Sequence, residues 1–179
     1  METQTATTWA IDPMHSEVQF KVKHLMVSTV TGQFSQYEGK LDMVGNDFED
    51  ATISFSADVA SISTGNEQRD THLKSAEFFD AEQFPKLTFT STGMKTTGNE
   101  TYALTGDLTM HGVTKSVTLK AEYGGQMQDF YGQTKAGFEV TGILKRKEFG
   151  LTWDGVTEAG GVVVSDDVRL VMNIQVTKQ

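Results

Sequence analysis

From Val18 onward the chain alternates apolar and polar residues with a period of two, and no other feature limits its possible fold as strongly. Val18, Phe20 and Val22 alternate with Gln19, Lys21 and Lys23, the pattern of a strand with one dry and one wet face. The period returns at Ile53, Phe55, Ala57 and Val59, at Leu87 and Phe89, and at Leu104, Gly106, Leu108 and Met110. It recurs at Val117, Leu119, Ala121 and Tyr123, then at Ala136, Phe138, Val140, Gly142 and Leu144, and finally from Val168 through Leu170, Met172 and Ile174 to Val176. Turn strings such as "GND", "TGNE", "MHGVT", "YGG" and "EAGG" separate these runs and suit tight antiparallel connections. One-sided strands in a long antiparallel series make a sandwich or a closed barrel, and closure removes exposed edges. At 179 residues the chain fits one domain, 1–179, with residues 1–8 read as a flexible N-terminus.

One stretch breaks the alternation. After "SIST", Asn66 can cap a short helix from Glu67 to Lys74 that carries Arg69, His72, Leu73 and Ala76 on one side. Ser75 can cap a further turn bearing Phe78 and Phe79, and Pro85 returns the chain to a strand. The reading is a helical insertion near residues 66–80 with an apolar face, placed where a barrel needs an end cover.

Composition excludes several functions. Lys+Arg 15 against Asp+Glu 24 gives a net charge of −9, which repels phosphate backbones, so nucleic acid is not an expected partner. The absence of cysteine removes disulfides, thiolate nucleophiles and thiolate metal ligands. His15, His24, His72 and His111 are not at the close spacings zinc sites use, so no metal and no cofactor is expected. No GxSxG elbow and no phosphate-binding glycine loop occurs, and no catalytic residue is assigned. The start "METQTATTWAID" lacks a basic and an apolar leader region, which predicts a cytoplasmic protein, or a periplasmic one if Met1 was added to a mature form.

The dry faces mix large residues with Ala57, Gly106, Ala121, Ala136 and Gly142. Such a mixture either packs a tapering barrel or leaves a channel, and periodicity alone leaves both open. Met110 and Met172 fit either case, since thioethers fill core gaps and line adaptable apolar sites alike.

Particular strings carry further information. "IDPMHSEVQFKVKHL", "GQF", "SIST" followed by "RDTHLKSAEFFDAEQFPKLTF", "LTGDLTMHGVTKSVTL", "GF", "RKEFGL" and "VSDDVRLVMNIQV" occur in order from about Trp9 to the C-terminus. Together they resemble the YceI-like family of polyisoprenoid-binding proteins. The resemblance implies an all-β chain: an extended antiparallel β-barrel, lipocalin-like, of about eight strands. It also implies an elongated apolar pocket for an isoprenoid or similar long-chain lipid, of polyprenyl or quinone type, and no catalysis. The matched motifs place His15 and Ser16 at the start of the first strand, His111 and Gly112 at a hairpin, and Arg146, Phe149 and Leu151 in "RKEFGL".

The implied pocket wall comprises Phe20, Val22, Ile53, Phe55, Ala57, Leu104, Leu108, Met110, Ala136, Phe138, Leu144, Phe149, Leu170 and Met172. Leu73, Phe78 and Phe79 would close it from the insertion. Arg69 and His72 would meet a polar head group or brace the insertion through Asp70, and an ordinary Arg69–Asp70 ion pair is the plainer alternative. A lipid carrier of this kind implies transient membrane contact and allows a homodimer that shields the barrel mouth. Two other readings remain: a ligand-free structural or stress-response barrel filled by its own side chains, and a hydrolase or isomerase using His15, His72 or His111.

Overall fold

A computed structural model describes residues 6–45, 47–154 and 163–179. Its strands are β1 (Ala6–Ile11), β2 (Glu17–His24), β3 (Ser28–Phe34), β4 (Tyr37–Val44), β5 (Thr52–Asp58), β6 (Ile62–Ser63), β7 (Lys86–Gly98), β8 (Thr101–Met110), β9 (Val113–Gln128), β10 (Thr134–Lys145) and β11 (Val164–Lys178). One helix, α1 (Glu67–Lys74), separates β6 from β7. All pairings between strands are antiparallel.

The eleven stretches form eight strands of a closed barrel. β1 and β2 lie end to end along β11, which pairs with β1 at Val176–Lys178 and with β2 from Val164 to Asn173. β3 and β4 likewise run along β2 and β1, while β5 and β6 run along β4 and β3. With these three pairs counted as single bent strands, neighbours in sequence are neighbours in space, and the β1–β11 pairing closes the ring. This is an up-and-down barrel, which leaves few edges to protect.

The bend between β1 and β2 explains the string "DPMHS". Pro13 has no N–H for the ladder, so the chain turns through Pro13–His15, capped by Asp12, whose carboxylate accepts the Met14 N–H at 3.1 Å. Ser16 then restores the lost pairing with its side chain: Oγ accepts the Gln175 N–H at 2.9 Å and donates to the Gln175 carbonyl at 3.3 Å. The His111–Gly112 hairpin has positive φ at both residues (55° and 72°). A Cβ at Gly112 would also meet the Phe84 ring at 2.6 Å, so the position takes only glycine.

One end of the barrel is plugged. Trp9 is 2 % exposed and packs on Phe48 (ring centroids 5.9 Å apart), which in turn contacts Tyr123 (5.3 Å) and Phe138 (5.0 Å). Four aromatics from β1, the β4–β5 connection, β9 and β10 thus form a floor. Of the residues read as the N-terminus, Ala6–Thr8 belong to β1 and pair with Val44, Met43 and Asp42 of β4, and residues 1–5 lie outside the described residues.

The small residues on the dry faces are mostly seats for larger neighbours. A Cβ at Gly106 would meet Phe89 at 2.5 Å, and one at Gly142 would meet Leu119 at 2.4 Å. Gly32 and Gly39, on β3 and β4, are covered in the same way by Phe20 and Ile11.

Candidate functional site

Inside the barrel lies a cavity of about 380 Å³, at the lower end of the ~300–1,000 Å³ usual for ligand sites. Every strand of the closed barrel contributes to its wall. Of the residues expected there, Phe20 and Val22 (β2), Ile53 and Phe55 (β5), Leu104, Leu108 and Met110 (β8), Phe138 and Leu144 (β10) and Leu170 and Met172 (β11) line it. So do Arg69, His72, Leu73, Phe78 and Phe79 of the insertion.

Three expected wall residues are elsewhere. Ala136 (2 % exposed) is buried but does not face the cavity; it pairs with Val176, two residues from the floor ring of Phe138. Ala57 is fully buried beside Tyr37 and Leu87. Phe149 is packed into the core on the turn after β10, and its carbonyl accepts a hydrogen bond from His111 Nδ1 at 3.2 Å. Of the five small dry-face residues, only Ala121 lines the cavity.

Sequence reasoning missed Ile11, Phe34, Gly39, Leu41, Met94, Trp153 and Arg146 on the wall. A signal existed for the strand residues: "TVTGQF" and "YEGKLDM" alternate as cleanly as β2, with glycine at one dry position each.

The mouth is built by α1, by the turns after it, and by the segment after β10. Asn66 caps α1, accepting the Arg69 N–H at 3.0 Å. No residue of α1 is fully buried, and Ala76 is exposed, so the insertion lacks the continuous apolar face expected of it. Its apolar contribution comes from Leu73 and from Phe78 and Phe79 in the following turn, where Phe78 is 7 % exposed. Phe79 stands edge-on to Phe34 at 6.5 Å, and Phe34 contacts Phe20 at 5.8 Å, which joins the insertion to the wall.

Arg69 and Asp70 do not pair with each other, because adjacent helical residues point in different directions. Both instead hold Thr64. Arg69 Nε donates to Thr64 Oγ1 (2.7 Å) and Nη2 to the Thr64 carbonyl (2.8 Å), while Asp70 Oδ1 accepts from the Thr64 N–H (2.8 Å) and hydroxyl (2.6 Å). His72 hydrogen-bonds Glu77 through Nε2, and its ring stands edge-on to Phe78 (5.0 Å) and Trp153 (5.1 Å). Phe78 and Trp153 also touch, at 5.3 Å, so these three rings form one cluster over the cavity.

Arg146 holds the other side of the mouth. It is 4 % exposed, and all five of its N–H donors are used. Nε donates to the Ser165 carbonyl (2.9 Å), Nη1 to the carbonyls of Leu151 (2.7 Å) and Trp153 (2.8 Å), and Nη2 to Asp154 Oδ1 (2.7 Å) and the Val164 carbonyl (3.2 Å). Lys147 Nζ lies 2.6 Å from Asp154 Oδ2. Hydrogen bonds from Lys147 and then Arg146 hold the Asp154 carboxyl below its ordinary range. Arg146 thereby fixes Trp153 against the insertion.

The histidines have separate partners: His15 has Asp12 (2.8 Å), His72 has Glu77 and His111 has the Phe149 carbonyl. Only His24 and His72 line the cavity. Among the described residues no group of three or more His, Asp or Glu side chains could hold a metal. No helix among them is long and apolar enough to cross a membrane.

A closed antiparallel barrel with an apolar interior and a covered mouth defines the lipocalin-like class. The chain matches the YceI-like domain over residues 9–176 and belongs to that family. A UPF0312 protein of Ectopseudomonas mendocina is 37% identical over 176 residues, covering 97% of this chain and 89% of that protein. The crystal structure of Burkholderia cenocepacia BcnA superposes with a TM-score of 0.80 at 21% identity, covering 92% of this chain and 98% of BcnA. A polyisoprenoid binding domain from Saccharophagus degradans, implicated in plant cell wall breakdown, has the same fold, with a TM-score of 0.68 at 14% identity over 94% of this chain and 97% of that domain.

Proposed function

We propose that this protein binds a long apolar lipid chain of isoprenoid type inside the barrel and carries or sequesters it. The observation that supports this most is the cavity, whose wall is almost wholly aliphatic and aromatic and whose two ends differ in construction. A barrel filled by its own side chains would not leave such a space. The polyisoprenoid-binding description of the Saccharophagus degradans domain is consistent with the reading. Each buried methylene contributes ~0.8 kcal/mol of transfer free energy, from which association and ordering costs subtract heavily. A chain of several prenyl units still leaves a large favourable balance and a slow off-rate.

In this reading the floor stops the chain, the strand faces grip it, and the cluster of His72, Phe78 and Trp153 covers its outer end. Arg69 and Arg146 are committed to internal hydrogen bonds, so they shape the mouth more than they bind a head group. Native mass spectrometry of protein purified from its host, with organic extraction, tests the proposal. The expected result is the polypeptide plus an extractable prenyl or similar lipid. A bare polypeptide mass, with no uptake of an added polyprenyl lipid, would count against it.

A further inference from the structure

We propose that the β2–β3 hairpin tip, Leu25–Met26–Val27, is a docking element that enters the interface of an anionic lipid bilayer and brings the cavity mouth to it. The inference rests on the lipid-binding reading above. Three observations point to it, beginning with the turn itself. His24 accepts the Val27 N–H at 3.2 Å, and both central residues have positive φ, Leu25 at 53° and Met26 at 59°. This is the type I′ geometry that strongly prefers Asn-Gly, and bulky side chains are unusual in it. Residues held in an unfavourable conformation concentrate where function needs what they present.

What these residues present is apolar surface. Leu25, Met26 and Val27 are 41 %, 64 % and 83 % exposed. The tip is joined to the mouth: the Leu25 N–H donates to the Val163 carbonyl at 2.8 Å, and His24, Val163 and Val164 line the cavity. A lipid passing between bilayer and cavity at this point would not cross water.

Charge selects the occupant. From Val18 to Tyr37 the sequence has Lys21 and Lys23 and no carboxylate, although the whole chain carries −9. Facing this hairpin, β11 presents Arg169 opposite Lys21; of its two carboxylates near the tip, Asp167 is engaged by Lys145 and Asp166 accepts the Lys147 N–H at 3.1 Å. A local positive strip behind an apolar tip fits an anionic lipid surface. Three turn residues are too few for a specific protein interface, which takes ~800 Å² from each partner. The other apolar tip, Phe130–Tyr131 between β9 and β10, lies at the opposite, floor end and has Asp129 beside it.

The test is flotation with vesicles of phosphatidylglycerol and phosphatidylcholine, using the full chain. Leu25→Asn with Met26→Gly installs the preferred turn, so this variant should fold at least as stably as the parent. It should lose vesicle association, yet take up a fluorescent prenyl probe delivered from ethanol as before. Lys21→Gln should weaken association roughly fivefold at low salt. Phe130→Ser with Tyr131→Ser should leave it unchanged.

Undiminished flotation of the Asn-Gly variant, or loss on changing Phe130 and Tyr131 instead, would overturn the proposal. So would a parent protein that ignores both anionic and neutral vesicles, including one whose tip instead supports self-association. Failure of probe uptake from ethanol would sink the lipid-binding reading separately, whatever flotation shows.

Discussion

The two ends of the barrel are closed by different physics. The floor is an aromatic cluster, Trp9, Phe48, Tyr123 and Phe138, held by burial and ring packing. The mouth is held by directed hydrogen bonds: Arg69 and Asp70 on Thr64, and Arg146 on four backbone carbonyls and Asp154. Apolar packing is non-directional and tolerates no opening without exposing surface. A hydrogen-bonded cover over a helix with no fully buried residue can shift locally at far lower cost. The floor cluster and the buried Arg146 network anchor the two ends, and α1 is the part of the cover that the lipid-binding reading expects to open.

The largest effects on stability are expected at Arg146 of the mouth and Trp9 of the floor. Arg146→Ala removes the side-chain donor from the Leu151, Trp153, Val164 and Ser165 carbonyls and leaves Asp154 with Lys147 alone, and removing one member of a buried charged network costs about 3–5 kcal/mol. Chemical denaturation should show this loss, and Arg146→Lys should restore little, because an ammonium cannot reproduce the planar fork. Trp9→Ala opens the floor and should cost about 3–5 kcal/mol in the same assay. Its effect on lipid release should be small compared with its effect on stability; the reverse ratio would erase the distinction between the ends.

Trp153→Ala sharpens the comparison from the other side. Trp153 lines the cavity, is half-buried and touches His72 and Phe78, so its loss should speed probe release by about tenfold while the unfolding midpoint moves little. Stopped-flow dilution into empty acceptor vesicles measures the rate.

The smallest effect is expected at the β1–β2 bend. Asp12 is held below the ordinary carboxylate range by its hydrogen bond to His15 above all, then by Lys135 and the Met14 N–H, against the opposing effect of burial. A carboxyl with a depressed folded pKa adds stability at neutral pH that is lost as pH falls below about 4. Asp12→Asn should therefore lower stability slightly at pH 7 and flatten the acid limb of the stability profile. An unchanged acid limb would assign the bend to Ser16 and Pro13 alone.

Much of this was legible in the chain. Period-two alternation gave every long strand from β7 to β11, because each has one wet face, and Asn66 marked the helix start through its capping chemistry. Strands β3 and β4 carry the same alternation and were passed over, although Gly32 and Gly39 stand at dry positions under Phe20 and Ile11 just as Gly106 and Gly142 stand under Phe89 and Leu119 in strands that the alternation did reveal. Ala136 and Ala121 look alike in the sequence. Only packing separates them, because the floor aromatics that set the depth of the cavity come from distant parts of the chain. The role of Arg146 was hidden for the same reason: its acceptors are main-chain carbonyls, which no side-chain pattern reports.

That pair of alanines provides the most direct measurement of the central claim, a hollow barrel above a solid floor. Ala121→Trp and Ala136→Trp are compared for the lipid-free denaturation midpoint and for uptake of a fluorescent prenyl probe. At Ala136 the ring has no space, and overpacking should cost about 1–3 kcal/mol. At Ala121 the ring can occupy the cavity, so the midpoint should change little while most of the uptake is lost. Normal uptake by a folded Ala121→Trp protein would contradict the account.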